Sequence, residues 1–452
     1  MIHYSQILSD FVYNLKYEDL PLAVVDTTKR YIADYYAASF AGIKVNGTFN
    51  DAVIGVISEM GGKQECDYIY SETRLPAANA AFLSACMAHG ADMDDGNRKA
   101  MGHVGAHVIS TALTLCQTLD VSGEDIITAI NAGYEVYNRV AAAVQPGLVH
   151  RGFHSTGTAG AIACGAVAAK LMDMDKEGIY NTMALCAVQA SGLIIIAESG
   201  QSCKPINPAN AAKTGILSAK IIGRGVKSSE YFLESKKGYF HAMSDEVDGN
   251  MITDGLGEVF TITESYMKPY PSCRHTHCGI ECVLDIRKRL PEGAKIKDVK
   301  VYIYKNAIDI AGQIKVPKVS DDAKFSVHYS LAVALLKGHF NLGDLDISGI
   351  DEETLRVIDN TELIADSSME DRDKGIRGSR VVVTTEDGSV LEKTVLIPLG
   401  DAANPLTWDD LEDKLSACSE GLLSEENQKK LMENIHNFER FNKIDTINLY
   451  NI

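Results

Sequence analysis

The sequence predicts a mainly α protein, in which a large all-helical unit is interrupted near its end by a smaller α+β unit. Three observations carry that prediction. Alanine-rich stretches with apolar residues at helical spacing run from the start to about residue 265. Alternating, β-branched runs appear only between about 268 and 398. Helix start signals then return. The expected boundaries are 1–267 with 399–452 for the helical unit and 268–398 for the α+β unit. A chain of 452 residues has ample length for two.

In order along the chain, the first clear helix opens at Ser122, with Asp125 three positions on as a capping-box pair. Ile126, Ile127, Ile130, Tyr134, Tyr137 and Val140 then share one broad face. After Gly157 the run TAGAIACGAVAAKLM is apolar all round and rich in small residues, which predicts a central helix buried by its neighbours. An alanine-rich helix is expected from Ala209. Beyond residue 268, Val299 to Lys305 alternates as a strand does. Ser326 to Gly338 reads as a helix, and Asp351 to Asp359 as another. Arg380 to Ile397 is two β-rich runs around Asp387-Gly388, a hairpin signal. Thr407 with Asp410 and Ser424 open the last two helices, and this tail is expected to pack back on the first unit.

Composition narrows the function. Acidic residues exceed basic ones to give a net charge of −18, which repels phosphate backbones and anionic lipid, so neither nucleic acid nor a membrane is an expected partner. No stretch is long and apolar enough to span a bilayer, and MIHYSQILSDFVYNL lacks the pattern of a signal peptide. The 10 cysteines are scattered, mostly in apolar surroundings and with no C-x-x-C, as expected of buried thiols in a reducing cytoplasm.

Four polar clusters interrupt the small-residue texture. His89 to His107 (HGADMDDGNRKAMGHVGAH) holds Asp92, Asp94, Asp95, Arg98 and two further histidines beside glycine turns, a density that suits acid/base chemistry. The plainer alternative is an exposed acidic loop. In HRGFHSTGTAG, His154 stands directly before the buried helix, whose free N–H groups attract carboxylates. The alternative is that Ser155 and Thr156 merely cap that helix. In QSCKPINPANAAKTG, Lys204 and Lys213 flank a Pro- and Asn-rich turn, and Lys213 reads as solvated. In KPYPSCRHTHCGIE, Lys268, Arg274, His275 and His277 crowd at the junction between the two expected units, where clefts concentrate. The alternative is a rigid linker. Asp92, Asp94, His103, His107, His275 and His277 offer metal ligands in principle, but no zinc or iron–sulfur spacing is evident, so no metal is expected. A nucleophile elbow, a P-loop and a GxGxxG fingerprint are all absent.

Taken in this order, the clusters resemble the MmgE/PrpD family, which includes 2-methylcitrate dehydratase, cis-aconitate decarboxylase and iminodisuccinate epimerase. HGADMDD is similar to the family's H-x-x-D-F-D-D segment, with Met93 for Phe. HVGAHVISTALTL is similar to H-P-G-A-x-V-I-P-A-A-L, with Val104 for Pro. GYEVYNRV, GFHSTGTAGA, CKPINPANAAKTGILSA and KPYPSCRHTH match almost letter for letter. AKFSVHYSLAVALL is similar to A-K-F-S-L-P-Y-A-V-A-L-A-L-L, with His328 for Pro. The resemblance runs to about residue 340 and weakens beyond it. It implies a large helical domain with a smaller α+β lid domain, a homodimer and no organic cofactor. It also implies catalytic roles for Asp92, His103, His154, Lys204 and Lys268. Tyr329 matches the tyrosine of the F-S-x-x-Y segment, and Arg98, Arg274 and His275 are further expected substrate contacts. One departure is visible: where the family's acidic segment commonly continues with Thr, this chain has Gly96-Asn97-Arg98, which removes a hydroxyl and brings a guanidinium.

The implied chemistry is proton movement α to a carboxylate. Lys204 and Lys268 are expected to face one pocket, neutralise a di- or tricarboxylate and stabilise the developing enediolate charge. His154 and His103 are the expected proton-transfer pair, with Asp92 orienting them, and a His154 pKa near neutrality would let that ring both take and give a proton. The favoured expectation is a lyase that dehydrates or decarboxylates a citrate- or aconitate-like acid. The alternatives are an epimerase of an amino- or imino-dicarboxylate, a catalytically dead binding protein on the same fold, and a metal hydrolase.

Overall fold

Helices with alanine, glycine and serine on several faces can take neighbours on every side, and the first unit is built from them. The structure, a computed structural model, describes residues 2–198, 202–371 and 375–442. It divides into Met1–Met267 with Thr407–Ile452, and Lys268–Leu406. The first unit centres on the helix Ser155–Leu171, in which every residue but Lys170 is buried. Around it pack Gly105–Leu115, Gly123–Ala142, Lys176–Val188 and Ile206–Ile222. The helix Ile206–Ile222 approaches it closely at Gly215, where an added Cβ would lie 2.4 Å from the Cys164 Cβ. The capping box at Ser122 and Asp125 forms as expected. The alanine-rich helix begins at Ile206, earlier than expected, because its first turn accepts two prolines: Pro205 as the cap and Pro208 within the turn, where N–H groups lack helical partners anyway.

The tail joins the first unit through the helix Leu22–Val45. Thr407 and Asp410 cap Trp408–Ser419, the Trp408 indole N–H donates to Asp26 at 3.2 Å, and Lys29 donates to the carbonyl of His436 at 2.9 Å. Ser424 caps Glu425–His436.

The second unit carries a four-stranded sheet in the order Val390–Val395, Ser379–Thr385, Ile296–Ile303, Thr361–Ala365. The hairpin turns at Asp387-Gly388 as predicted. Thr361–Ala365, which the sequence reading missed, pairs parallel to Ile296–Ile303. The helices Val327–Lys337 and Glu352–Asp359 lie in the crossover between them, the second capped by Asp351. This unit runs on to Leu406 because side chains from His277–Arg289 and the turn before it hold the following backbone. Arg274 donates to the carbonyls of Pro398 and Leu399, and Glu281 accepts from the Leu399 N–H at 2.7 Å. All ten cysteines are free thiols, nine of them buried. Among the described residues no helix is long and apolar enough to cross a membrane.

Candidate active site

The first cluster is neither a loop in solvent nor an acidic surface. It starts on the last residue of the helix Ala77–His89 and ends in Gly105–Leu115, so its turn is held at both ends by buried helices. Its carboxylates and imidazoles are buried together and bond one another in part, while His89 Nε2, one Asp94 oxygen and both His107 ring nitrogens have no hydrogen-bond partner among the described residues. The Asp94 carboxylate faces His89 Nδ1 at 2.8 Å and His103 Nδ1 at 3.3 Å. The His89 and His103 rings meet edge to face at 4.6 Å. His103 Nε2 lies 3.8 Å from Asp92, and Asp92 is paired with the ammonium of Lys204. Asp92 adopts the left-handed backbone region at φ 55°, where a non-glycine residue persists only when its surroundings hold it.

Asp95 acts through its backbone and its carboxyl separately. Its carbonyl lies 2.9 Å from His103 Nδ1, while its carboxyl accepts from the Gly105 N–H at 2.6 Å and the Tyr134 hydroxyl at 2.7 Å. The other side of the turn is pinned to the start of the Ser155–Leu171 helix. Thr156 Oγ1 accepts from the His103 N–H at 3.1 Å, and the Ser155 hydroxyl donates to the Met101 carbonyl at 3.1 Å. Those two hydroxyls therefore fasten the His103 loop, and no side chain caps this helix.

The electrostatics separate the roles. Burial alone would raise the Asp94 carboxyl, but the His103 and His89 imidazoles outweigh it and hold Asp94 well below the usual carboxylate range. Burial pushes His89 down to about 4. Burial likewise pushes Asp95 up to about 7, with the Asp94 and Asp34 charges adding to it. Asp94 is thus the fixed anion, whereas Asp95, at about 7, exchanges its proton around neutral pH.

His154 requires a correction. The sequence expectation was a residue at a cleft lip with a pKa near neutrality. The ring is 3% exposed, and burial, followed by the Lys204 charge and the His89, His103 and His107 rings, pushes its pKa well below the ordinary value. Its Nδ1 accepts from the Asn207 amide at 3.0 Å, so the neutral ring carries its proton on Nε2. Asn207 was not singled out from the sequence, although it lies in the same turn as Lys204. That turn sends Lys204 to Asp92 and Asn207 to His154.

The departure at Gly96 has a structural counterpart. Gly96-Asn97 pairs antiparallel with Ser265-Tyr266, and a Cβ at residue 96 would lie 2.5 Å from the Tyr266 hydroxyl oxygen. A phenol oxygen thus sits where a residue-96 side chain would begin. Arg98 is half-buried on the turn that Asn97 closes by accepting from the Lys99 and Ala100 N–H groups at 3.0 and 3.1 Å. Lys213 is half-buried, 5.7 Å from the centre of the Phe82 ring, and not simply solvated.

The remaining candidates lie in the second unit. Lys268 is 2% exposed. Arg274 is engaged by the Pro398 and Leu399 carbonyls and by His277 Nδ1 at 3.1 Å. His275 is hydrogen-bonded to the Tyr304 hydroxyl, and burial followed by the Arg377, Lys268 and Arg274 charges pushes it down to about 3. Tyr329 donates its hydroxyl to the Asp344 carbonyl at 2.6 Å.

Among the described residues His89, Asp94 and His103 form one group whose ligand atoms lie within 4.8 Å of one another. Both Nδ1 atoms face Asp94, at 2.8 and 3.3 Å, separations suited to hydrogen bonds between the rings and the carboxylate. The donor set suits a proton network, and no step below passes through a metal.

Two family models match the chain: the MmgE/PrpD N-terminal domain over residues 6–250 and the MmgE/PrpD C-terminal domain over residues 270–439. A cis-aconitate decarboxylase-like protein of Aspergillus oryzae is 22% identical, covering 96% of this chain and 94% of its own. A cis-aconitate decarboxylase of Aspergillus terreus is 23% identical, covering 95% and 92%. The cis-aconitate decarboxylase of Homo sapiens is 23% identical, covering 95% and 90%.

Proposed function

The chain belongs to the MmgE/PrpD family, and we propose that it is a carboxy-lyase or hydro-lyase acting on a small di- or tricarboxylate related to cis-aconitate, by proton transfer α to a carboxylate. One observation carries the reading: the Lys204 ammonium, on a side chain 14% exposed, is paired with buried Asp92 beside His103. A lysine paired with a carboxylate at the edge of a proton network can exchange that carboxylate for one of the substrate.

In decarboxylation the bond from carbon to a carboxylate breaks, CO2 leaves, and the electron pair left on carbon takes a proton. In dehydration an α-proton goes to a base, and the β-hydroxyl leaves with a proton as water. Both need a cation where the enediolate charge grows and a proton carrier close by. Lys204 is assigned the first role and His103, steadied by Asp94 and the Asp95 carbonyl, the second. His154 enters as a neutral donor through Nε2–H. A substrate carboxylate drawn to Lys204 counters the second influence that depresses this ring, so binding the anion raises its pKa toward the working range. Lys268 enters the proposal on its K-P-Y-P motif, and a homodimer on the family resemblance. The relatives described above are decarboxylases, so the epimerase alternative is not carried forward.

The test is incubation of the purified protein with cis-aconitate, citrate and 2-methylcitrate in deuterated water, following CO2 and the proton spectrum. We expect either CO2, with solvent deuterium on the carbon that is reprotonated, or a new unsaturation, with solvent deuterium entering the recovered substrate by reversal. A product of unchanged composition but inverted configuration would replace the lyase with an isomerase. Absence of turnover and exchange with every acid overturns the proposal.

A further inference from the structure

The tail of the chain reaches further into the first unit than its packing requires. Lys414, on the helix Trp408–Ser419, is buried, an unusual place for an ammonium. It donates to Asp34 on the helix Leu22–Val45 at 2.6 Å and to the carbonyl of Met93 at 2.9 Å. Met93 is the residue between Asp92, with its left-handed backbone, and Asp94, the fixed anion of the network. We propose that Lys414 is a positioning residue: through the Met93 carbonyl it fixes the turn that presents Asp92 and Asp94. As a statement about catalysis this rests on the function proposed above. As a statement about the turn it does not.

Three physical points support it. A left-handed φ at a non-glycine residue needs to be held from outside, and the Met93 carbonyl is the next acceptor along the chain. A charged donor makes a stronger hold than a neutral one, and here it acts in a water-poor interior. The pair also sets the local charge. Asp34 acts electrostatically on Asp95 and Tyr134, and Lys414 brings the opposite charge to it.

The test compares Lys414→Met, Lys414→Arg and the charge-neutral double variant Asp34→Asn with Lys414→Met in the full chain. The double variant avoids leaving the buried Asp34 carboxylate without the Lys414 charge, a loss that can unfold the single Met variant. Backbone amide exchange of residues 90–105, read by mass spectrometry, is independent of any substrate. We expect it to quicken roughly ten-fold or more in the double variant, with the Ser155–Leu171 helix unchanged. With cis-aconitate as probe, kcat should fall roughly 100-fold while KM moves by less than about three-fold, the pattern of misplaced catalytic groups, and Arg should restore most of it. Wild-type exchange in residues 90–105, or acceleration spread equally through the core helices, overturns the proposal. If the wild-type protein turns over none of the polycarboxylates, the proposed function fails while the amide exchange still decides Lys414.

Discussion

Two segments of this chain look alike in sequence and behave differently in the structure. Residues 89–107 and 268–281 both crowd histidines and charges among turn residues. In the first, side chains bind one another: Asp94 faces two imidazoles, and Asp92 pairs with Lys204. In the second, side chains turn largely to backbone: Arg274 serves the Pro398 and Leu399 carbonyls, Glu281 the Leu399 N–H, and His277 Nε2 the Ser272 carbonyl at 3.2 Å, while His277 Nδ1 faces Arg274 and His275 meets the Tyr304 hydroxyl. Density of titratable residues therefore does not define a reactive site. What sets the first segment apart is a carboxylate shared by two imidazoles, an arrangement through which a proton can pass.

The largest expected effect breaks this comparison directly if it fails. His103→Gln removes the ring that touches Asp92, Asp94 and the Asp95 carbonyl, and should lower kcat by roughly 100- to 10,000-fold with little change in thermal midpoint. Arg274→Met should do the opposite, costing roughly 1–3 kcal/mol of stability by leaving buried carbonyls unpaired while folded protein keeps most of its kcat. Paired kinetics and denaturant unfolding of the two variants check this. Equal kinetic damage from both would dissolve the distinction.

Next is Lys204→Met. It should weaken substrate binding by roughly 1–3 kcal/mol, the scale of a charge-assisted hydrogen bond. It should also raise the His154 pKa, since the Lys204 charge is the second influence depressing it after burial. Burial remains, so the ring should stay below the ordinary histidine value. Nitrogen NMR of the labelled imidazole reads both outcomes, and an unmoved ring would mean that Lys204 and His154 do not share one electrostatic site.

The helices opening at Ser122, Asp351, Thr407 and Ser424, the two expected capping boxes and the hairpin were legible because each is a local signal: a side chain three residues from the N–H it serves, or a turn that needs φ > 0 at Gly388. Thr361–Ala365 was not, because a parallel strand is defined by a partner far along the chain. The site was legible as a set of residue types around Asp92, His103 and Lys204. The burial that depresses His154 was not, since a residue beside a polar turn looks exposed in sequence. Asn207 and Lys414 escaped for the same reason as the strand: their importance lies in contacts at long sequence separation.

A smaller effect is expected at Gly96. Gly96→Thr would bring the hydroxyl common in the family but drive its Cβ into the Tyr266 phenol, at a cost of roughly 1–3 kcal/mol of overpacking. Adding Tyr266→Ala should relieve part of that cost, so the double variant should be more stable than the two single losses predict. Additive losses in urea unfolding would show that the two side chains do not compete for one space.

The smallest effect concerns Asp95 and needs its sign worked out. Burial raises its carboxyl from the ordinary 3.8 to about 7. Between those values the native state keeps a proton that the unfolded chain has lost, so unfolding releases it. Stability contributed by Asp95 is therefore present at low pH and is lost as pH rises toward and through 7. From pH 6 to 7.5 the loss should be of order 1 kcal/mol, since one pKa unit corresponds to about 1.4 kcal/mol. Asp95→Asn does not titrate, so it should flatten the dependence of thermal midpoint on pH in that interval. The substitution is tolerable on hydrogen-bonding grounds. The amide oxygen can accept from the Gly105 N–H, and the amide N–H can donate to Tyr134 once that hydroxyl reverses, as the protonated carboxyl would. The Asp95 carbonyl that faces His103 Nδ1 is untouched, so kcat should change far less than in His103→Gln. An unchanged slope between pH 6 and 7.5 would mean that Asp95 is already ionised in the folded protein, and that its charge adds to those of Asp92 and Asp94 near His103.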